Sequence, residues 1–123
     1  MAFPTSFTNI ERAEQALGRT LPAPLRDRLL ANNGGEIETE DGEVWQLHPV
    51  WDDSNPRTIA RTMSHVVHET KEAREWQRFP AGAIAIASDG SGNHLVLRSG
   101  SELVEDWNHE TGECSAVSIR WKR

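Results

Sequence analysis

The sequence predicts an α+β fold, an antiparallel β-sheet meander with helices packed on one face. Two observations carry this prediction. Apolar residues recur at helical spacing near the N-terminus and again over 59–76, whereas the rest of the chain consists of short apolar runs separated by glycine-containing turns. The 123 residues can bury one core and contain no internal repeat, so the whole chain, 1–123, is expected to be a single domain.

Two helices are predicted at the N-terminus. Thr8 and Glu11 have the spacing of a capping box, in which a hydroxyl and a carboxylate satisfy each other's backbone amides, so the first helix is expected to begin near Thr8. Gly18 follows this apolar pattern and is expected to end the helix in the left-handed conformation. A second short helix follows the Pro-Ala-Pro segment at 22–24 and ends at the Asn-Asn-Gly-Gly turn at 32–35.

The remaining elements are predicted from their turns and apolar runs. Asp41 and Gly42 form a two-residue hairpin signal, and the sequence DGSGN at 89–93 is expected to be a tight strand connection. A phosphate loop or a calcium loop is disfavoured there, because the required Lys, following helix and terminal Glu are missing. In chain order we expect a β-hairpin over 36–47, a loop over 51–56, the longest helix over 59–76, and strands over 83–87, 94–97, 103–107 and 116–121.

The charge balance restricts the kinds of partner. The chain has 19 acidic and 13 basic residues, a formal charge of −6, and its basic residues are scattered, so nucleic-acid binding is not expected and a basic partner is favoured. No apolar run approaches the roughly 20 residues of a membrane helix, and residues 1–9 do not resemble a signal peptide. Because the single cysteine, Cys114, cannot form an internal disulfide, the cytoplasm is the expected compartment.

An acidic segment is the strongest indication of a binding surface. Five of the eight residues at 36–43 are acidic, and two more acids follow Trp51. Charge of this density speeds encounter with a basic partner, although a solvated, solubilising hairpin would give the same composition. The predicted partner-binding residues are Glu36, Glu38, Glu40, Asp41, Glu43, Trp51, Asp52 and Asp53.

The aromatic residues are unevenly supplied, with five tryptophans and no tyrosine. Trp45 and Trp107 lie in strand-like segments and are expected in the core, whereas Trp51, in a loop beside two acids, is expected to contact a partner. The sequence does not decide between these roles for Trp76 and Trp121.

The residues that could carry chemistry form no strong motif. His65 and His68 are three apart on the expected long helix, followed by Glu69, and His94 and His109 could approach from the sheet, but the HExxH order is absent. Cys114 follows His109 by five residues, with no third group to orient the imidazole. We therefore expect no catalytic residue, no metal and no cofactor.

Several segments, taken in their order and spacing, resemble the SUKH superfamily, which includes the fungal Smi/Knr cell-wall-assembly regulators. They are IERAEQALG at 10–18, LP at 21–22, LLANNGG at 29–35, FPAG at 79–82 with IA at 84–85, DGSGN at 89–93 and VEDWNHE at 104–110. The likeness spans nearly the whole chain and implies the fold of that superfamily.

The resemblance also implies a function. Bacterial members of the superfamily are mostly implied to be immunity proteins that bind and neutralise a toxin domain, often a nuclease, without chemistry of their own. The first hypothesis is therefore a non-enzymatic protein that binds a cognate toxin domain with a basic surface. A regulatory scaffold of the Smi/Knr type is the second hypothesis, and a small metal-dependent hydrolase using His65, His68, His94 or His109 is the third.

Overall fold

The computed structural model describes residues 3–121, which form four α-helices and seven β-strands. The helices are α1 (Phe7–Leu17), α2 (Ala23–Ala31), α3 (Pro56–Arg61) and α4 (Val66–Ala73). The strands are β1 (Glu36–Thr39), β2 (Val44–Leu47), β3 (Ile84–Ser88), β4 (His94–Leu97), β5 (Val104–Trp107), β6 (Cys114–Ala116) and β7 (Ile119–Arg120). The predicted α+β class is confirmed.

All the described strands belong to one antiparallel sheet, in the order β6-β5-β4-β3-β2-β1-β7. The two edge strands, β6 and β7, are separated in the chain by only Val117 and Ser118. The Val117 amide donates to Val104 of β5 at 3.0 Å, and the Ser118 carbonyl accepts from the Glu40 amide at 2.9 Å. Since the three steps from Ala116 to Ile119 span at most about 11 Å, the sheet curls until its edges almost meet.

The last predicted strand, over 116–121, is therefore wrong as a single element. The chain divides there into β6, which pairs with β5, and β7, which pairs with β1 at the opposite edge. The meander holds from β1 to β6 and is broken by β7. A local strand pattern cannot reveal this exchange of partners, because pairing with β1 depends on the curl of the whole sheet.

The two faces of the sheet are distinguished by strand alternation. Directly opposed residues on antiparallel strands share a face, so Ile37 and Trp45 lie on one side while Glu38 and Val44 lie on the other. We call the first side the inner face; it carries Leu95 and packs against α1 and α2, forming the main core. The second side is the outer face. Trp45 is 3% exposed, which confirms its predicted place in the core.

The outer face is covered by a different part of the chain. Trp107 is completely buried there, also as predicted, and its Nε1 donates to the carbonyl of Arg78 at 3.1 Å. Arg78 has a φ of 71°, a strained left-handed conformation for a residue with a side chain. The Phe79 ring meets Trp107 edge-on at 5.1 Å, and Trp76, about half exposed, does so at 6.4 Å. Residues 76–80 therefore form a strap over this face.

The first helix begins earlier than predicted. Its N-cap is Ser6, whose hydroxyl accepts from the Asn9 amide at 3.2 Å, so the expected capping box of Thr8 and Glu11 is wrong. Gly18 ends the helix with a φ of 76°, as predicted, and the second helix lies where the Pro-Ala-Pro entry placed it. The start was misjudged because Ser6 and Thr8 are both acceptable caps, and the side-chain pattern does not separate them.

The predicted long helix over 59–76 is also wrong, because the chain breaks between α3 and α4. The buried Thr62 hydroxyl accepts from the Asp52 amide at 3.1 Å and donates to the Thr58 carbonyl at 2.8 Å, which fixes the end of α3. A new helix then starts after His65, the N-cap of α4, whose Nδ1 accepts from the His68 amide at 3.3 Å. Helical spacing survives across this break, so periodicity alone could not detect it.

The glycine-rich turn at 89–93 connects β3 and β4, as predicted. Gly92 has a φ of 109°, and a Cβ at this position would lie 3.1 Å from the Nδ1 atom of His109. Glycine is therefore required both by the backbone conformation and by the approach of the histidine ring.

Candidate functional site

The predicted site residues of the first hairpin lie on and around one turn. We call them the acidic hairpin: Glu36, Glu38, Glu40, Asp41 and Glu43. Glu36 and Glu38 project from the outer face of β1, while the other three belong to the turn between β1 and β2. The sequence patterning thus correctly placed Glu36 and Glu38 on a common face, but Glu40 lies beyond the strand.

Part of this charge is neutralised within the chain. Arg120 of β7 donates from Nε to the Glu40 carboxylate at 3.2 Å and from Nη2 to the Glu40 carbonyl at 3.1 Å. Arg120 also stands opposite Glu38 in the pairing of β1 with β7. The Asp41 carboxylate accepts from the Thr39 hydroxyl. These contacts fix the turn and the β1–β7 edge, so the acidic hairpin has a structural role as well as a charged surface.

The charge is least compensated at one end of the sheet, where Glu43 approaches two acids that the site prediction did not include. We call this group the acidic end: Glu43, Asp89 and Asp106. The pKa of Asp106 is raised, first by its partial burial and then by the charges of Glu43 and Asp89. Burial opposes ionisation of Asp89 too, but hydrogen bonds from Ser91 and Asn93 hold its pKa below the usual value. Among residues 3–121, no ion pair compensates these three carboxylates.

Trp51 lies away from that end, at the far end of β2. It is half-buried and lines a groove of about 320 Å³ between α1 and the start of α4; its ring centroid is 5.3 Å from that of His65. We call this the Trp51 groove, and its other lining residues are Asn9, Arg12, Ala13, Ala16 and Val67. The acidic hairpin and the Trp51 groove are thus two regions rather than one continuous patch.

The two acids beside Trp51 have opposite surroundings. Asp53 is exposed and forms an ion pair with Arg12 at 3.2 Å, whose hydrogen bond and charge lower the pKa of Asp53. Asp52 is only 5% exposed, and its carboxylate accepts from the Ser54 hydroxyl at 2.6 Å and the Thr5 hydroxyl at 3.3 Å. Burial would raise the pKa of Asp52, but these hydrogen bonds lower it. Asp52 therefore organises the loop, whereas Asp53 borders the groove.

The histidines proposed for a metal site are dispersed. His65 caps α4 rather than sharing one helix turn with His68, and their ring centroids are 6.0 Å apart. His94 stacks on Trp107 at 6.1 Å, and the His109 ring lies 2.7 Å from the Asn93 side-chain oxygen. Within residues 3–121, no three His, Cys, Asp or Glu side chains are grouped so that they could hold a metal ion.

Cys114 lies in β6, and not in a turn as the sequence suggested. It packs against the Trp107 cluster on the outer face, and burial is the main reason that the pKa of its thiol is raised. A raised pKa disfavours the thiolate that a nucleophilic cysteine requires. The structure therefore gives Cys114 a packing role.

The most pronounced concavity was not predicted from the sequence. A cleft of about 480 Å³, which we call the polar cleft, opens between the end of β2, α3, α4 and the N-terminal segment. Its lining includes Phe3, Asn33, Gln46, His48, Pro49, Asp52, Arg61, Thr62, Ser64, Glu69 and Ser88. Gln46 and Ser88 are directly opposed on β2 and β3, so the outer face forms one wall of the cleft.

Two buried imidazoles lie at this wall with unsatisfied nitrogens. His48 is 6% exposed, and its Nε2 has no hydrogen-bond partner among the described residues; the same holds for Nδ1 of His94. Their ring centroids are 6.0 Å apart. Burial, assisted by the neighbouring His94, lowers the pKa of His48 to about 3, and burial also lowers the pKa of His94. Both rings are therefore neutral at physiological pH.

One sequence signal could have pointed to His48. The alternation of β2 sends Val44 and Gln46 outward, and the same period continued by two residues sends His48 to the outer face. What the sequence could not show is that α4 and the residues after it cover this face, because that requires the break after α3.

No helix within residues 3–121 combines the length and the apolar character needed to cross a membrane. Searches of curated proteins and of solved structures returned no match to this chain. The family model described as the SMI1 / KNR4 family (SUKH-1) matches residues 4–119, a range that begins before α1 and reaches β7. A match over nearly the whole chain agrees with the α+β architecture and the curled antiparallel sheet, and the protein therefore belongs to the SMI1 / KNR4 (SUKH-1) family.

Proposed function

We propose that this protein is an immunity protein that binds a cognate toxin domain and blocks it by occupying its surface. Family membership supports a protein of the immunity or Smi/Knr type. The observation that carries the finer proposal is the acidic end, where Glu43, Asp89 and Asp106 come together without a compensating ion pair among the described residues. Mutual repulsion of these carboxylates is relieved when a basic surface binds.

The acidic hairpin and the acidic end act first on the rate of association. An uncompensated negative field accelerates encounter with a positively charged domain and weakens with added salt. A toxin that acts on nucleic acid carries the complementary basic surface. Glu36, Glu38 and Asp41 extend the field along the turn, while Glu40 contributes less because Arg120 neutralises it.

Tight neutralisation also needs apolar contacts. A nanomolar complex corresponds to about −12 kcal/mol, which charged rims alone do not supply. Val44 adjoins Glu43 and is more than half exposed, so it offers an apolar contact beside the acids. Trp51 in its groove, with Asp53 at the border, supplies a second anchor. Asp52 enters this proposal as the residue that holds the loop, since its carboxylate is already engaged.

Calorimetric titration with the toxic domain encoded beside its gene tests the proposal at low and at raised salt. We expect one-to-one binding that is tight at low salt and weaker at raised salt, because the field is screened beyond about 10 Å at 0.1 M ionic strength. Absence of a complex at micromolar concentrations would contradict the immunity function. Tight binding that ignores salt would retain the function and remove the acidic surface from it.

A second candidate, a regulatory scaffold of the Smi/Knr type, is favoured by the dispersal of exposed apolar side chains. Phe7, Met63, Trp76 and Leu103 are each about half exposed or more, and they belong to four separate segments. Such isolated contact points suit several weak partners better than one large interface. Affinity purification separates the candidates, because one tight partner supports the immunity protein and several weak partners support the scaffold.

A further inference from the structure

The polar cleft contains hydrogen-bonding groups that the chain itself leaves unused. His48 Nε2 and the adjacent His94 Nδ1 are buried without partners in the described part of the chain, which is costly for polar atoms removed from water. The Glu69 carboxylate also lines the cleft and is about one-quarter exposed. It lies 3.9 Å from Nε2 of His68, which is too far for a hydrogen bond. These groups point to an occupant.

The charges of the cleft favour a cation. Asp52 and Glu69 contribute two carboxylates, and His48 adds no positive charge because burial keeps it neutral at physiological pH. Arg61 is the basic side chain of the lining, and its guanidinium is already stacked on the Phe3 ring, 4.2 Å from the ring centroid. The cleft therefore has an excess of acceptors near Glu69.

The size and geometry of the cleft exclude a bare metal ion as the best occupant. A volume of about 480 Å³ is within the range of sites that hold small organic groups. In residues 3–121, the acids and histidines are not grouped in threes as metal ligands would be. A group with several donors spread over a few ångströms fits better, because it can reach a carboxylate, an imidazole and a hydroxyl together.

We propose that the polar cleft receives an arginine side chain of a basic partner protein, with its guanidinium directed at Glu69 and His48. A guanidinium presents five N–H donors in one plane and no acceptor, which matches the carboxylate, the imidazole nitrogen and the Ser88 hydroxyl. Phe3 and Pro49 supply flat apolar walls for the plane and the aliphatic stem. This inference rests on the proposed function, and it names the side chain that the partner inserts.

The cleft can be tested without any partner by nuclear magnetic resonance. The probe is N-acetyl-arginine N-methylamide, and its uncharged isostere N-acetyl-citrulline N-methylamide is the control ligand. We expect saturable shifts at His48 and Ser88 with a Kd on the order of millimolar, as for one residue-sized ligand, and no saturable shifts with citrulline.

A matched pair of variants locates the binding group. Glu69 and Glu72 both lie on α4 beside His68, but Glu72 is exposed and does not line the cleft. We expect Glu69→Gln to weaken arginine binding at least tenfold and Glu72→Gln to change it less than twofold. Ser88→Ala provides a second variant of the cleft if Glu69→Gln is poorly folded, and it is expected to weaken binding about threefold.

Three outcomes would overturn the inference: equal binding of arginine and citrulline, equal effects of the two glutamine variants, or shifts of the same resonances by acetate instead of arginine. These outcomes concern the cleft alone. If the toxin domain binds tightly while the arginine probe does not, the cleft is excluded and the immunity function stands. If the arginine probe binds as expected and the toxin domain does not, the cleft stands as an arginine site and the immunity function fails.

Discussion

Both faces of the sheet are buried, yet they are buried by different means and with different chemistry. The inner face packs apolar side chains such as Leu95 against α1 and α2, and its buried groups need no polar partner. The outer face is covered by α4 and the strap at 76–80, and it encloses His48 and His94 with unpartnered nitrogens. The comparison teaches that one face maintains the fold, while the other retains unsatisfied polar groups that a ligand or a proton can reach.

The largest effect is expected for a truncation on the inner face. Leu95 is completely buried, so Leu95→Ala should lower the free energy of unfolding by about 2–5 kcal/mol through lost contacts and a residual cavity. The loss should be the same at pH 5 and pH 7.5, because no titratable group is removed. Urea denaturation at the two pH values measures it, and a loss that changed strongly with pH would break the distinction between the faces.

The next effect belongs to the outer face and depends on pH. The folded-state pKa of His48 lies below its ordinary value of 6.5, so protons favour the unfolded chain. The stability is fully present above pH 6.5 and is lost as the pH falls toward 3. With a folded pKa of about 3, the loss attributable to His48 at pH 4.5 is about 3 kcal/mol, and His94 acts in the same direction.

Replacing the titratable ring tests this assignment. His48→Phe keeps a planar ring of similar size, so we expect a shallower fall in the free energy of unfolding between pH 6.5 and 4.5 than in the wild type. Leu95→Ala serves as the control, because it should leave the slope unchanged. An unaltered slope in His48→Phe would mean that acid sensitivity arises elsewhere in the molecule.

A smaller effect is expected for the charged surface, and it should appear in binding kinetics. Changing Glu38, Glu40 and Asp41 together to Lys should slow association with the toxin domain about tenfold at low salt, because the steering field is reversed. The melting temperature should change little, since these side chains are on the surface and the Glu40–Arg120 pair is exposed. Stopped-flow mixing measures the association rate.

The matched control changes the same net charge elsewhere. Asp27, Glu75 and Glu102 are exposed and lie outside the acidic hairpin and the acidic end, so their joint replacement by Lys should slow association much less. Equal slowing in the two triple variants would show that total charge, and not its location, governs the encounter.

The smallest effect is expected for Arg120→Ala. The ion pair with Glu40 is exposed, and pairs of this kind contribute about 0–1 kcal/mol. Because Arg120 also joins β7 to the turn after β1, we expect a loss at the upper end of this range, measured by urea denaturation. A loss comparable to that of Leu95→Ala would show that closure of the curled sheet, and not the inner-face core, dominates stability.

The sequence by itself determined the α+β class, the first two helices, the first hairpin and the glycine-rich turn. Each of these depends on interactions between residues close in the chain, such as the left-handed Gly18 or the turn at Asp41 and Gly42. The burial of Trp45 and Trp107 followed as well, because strand periodicity and large apolar side chains agree there. Local propensity and alternation carry this information directly.

The tertiary structure alone decided the break after α3, the exchange of β7 to the opposite edge and the enclosure of His48. Each depends on residues distant in the chain: Thr62 contacts Asp52, β7 pairs with β1, and α4 covers the end of β2. The same contacts turned Asp52 inward and left Asp53 at the surface, although the two are adjacent in the sequence. Their physical cause is the curl of the sheet, which brings distant backbone groups within hydrogen-bonding distance and which no local pattern encodes.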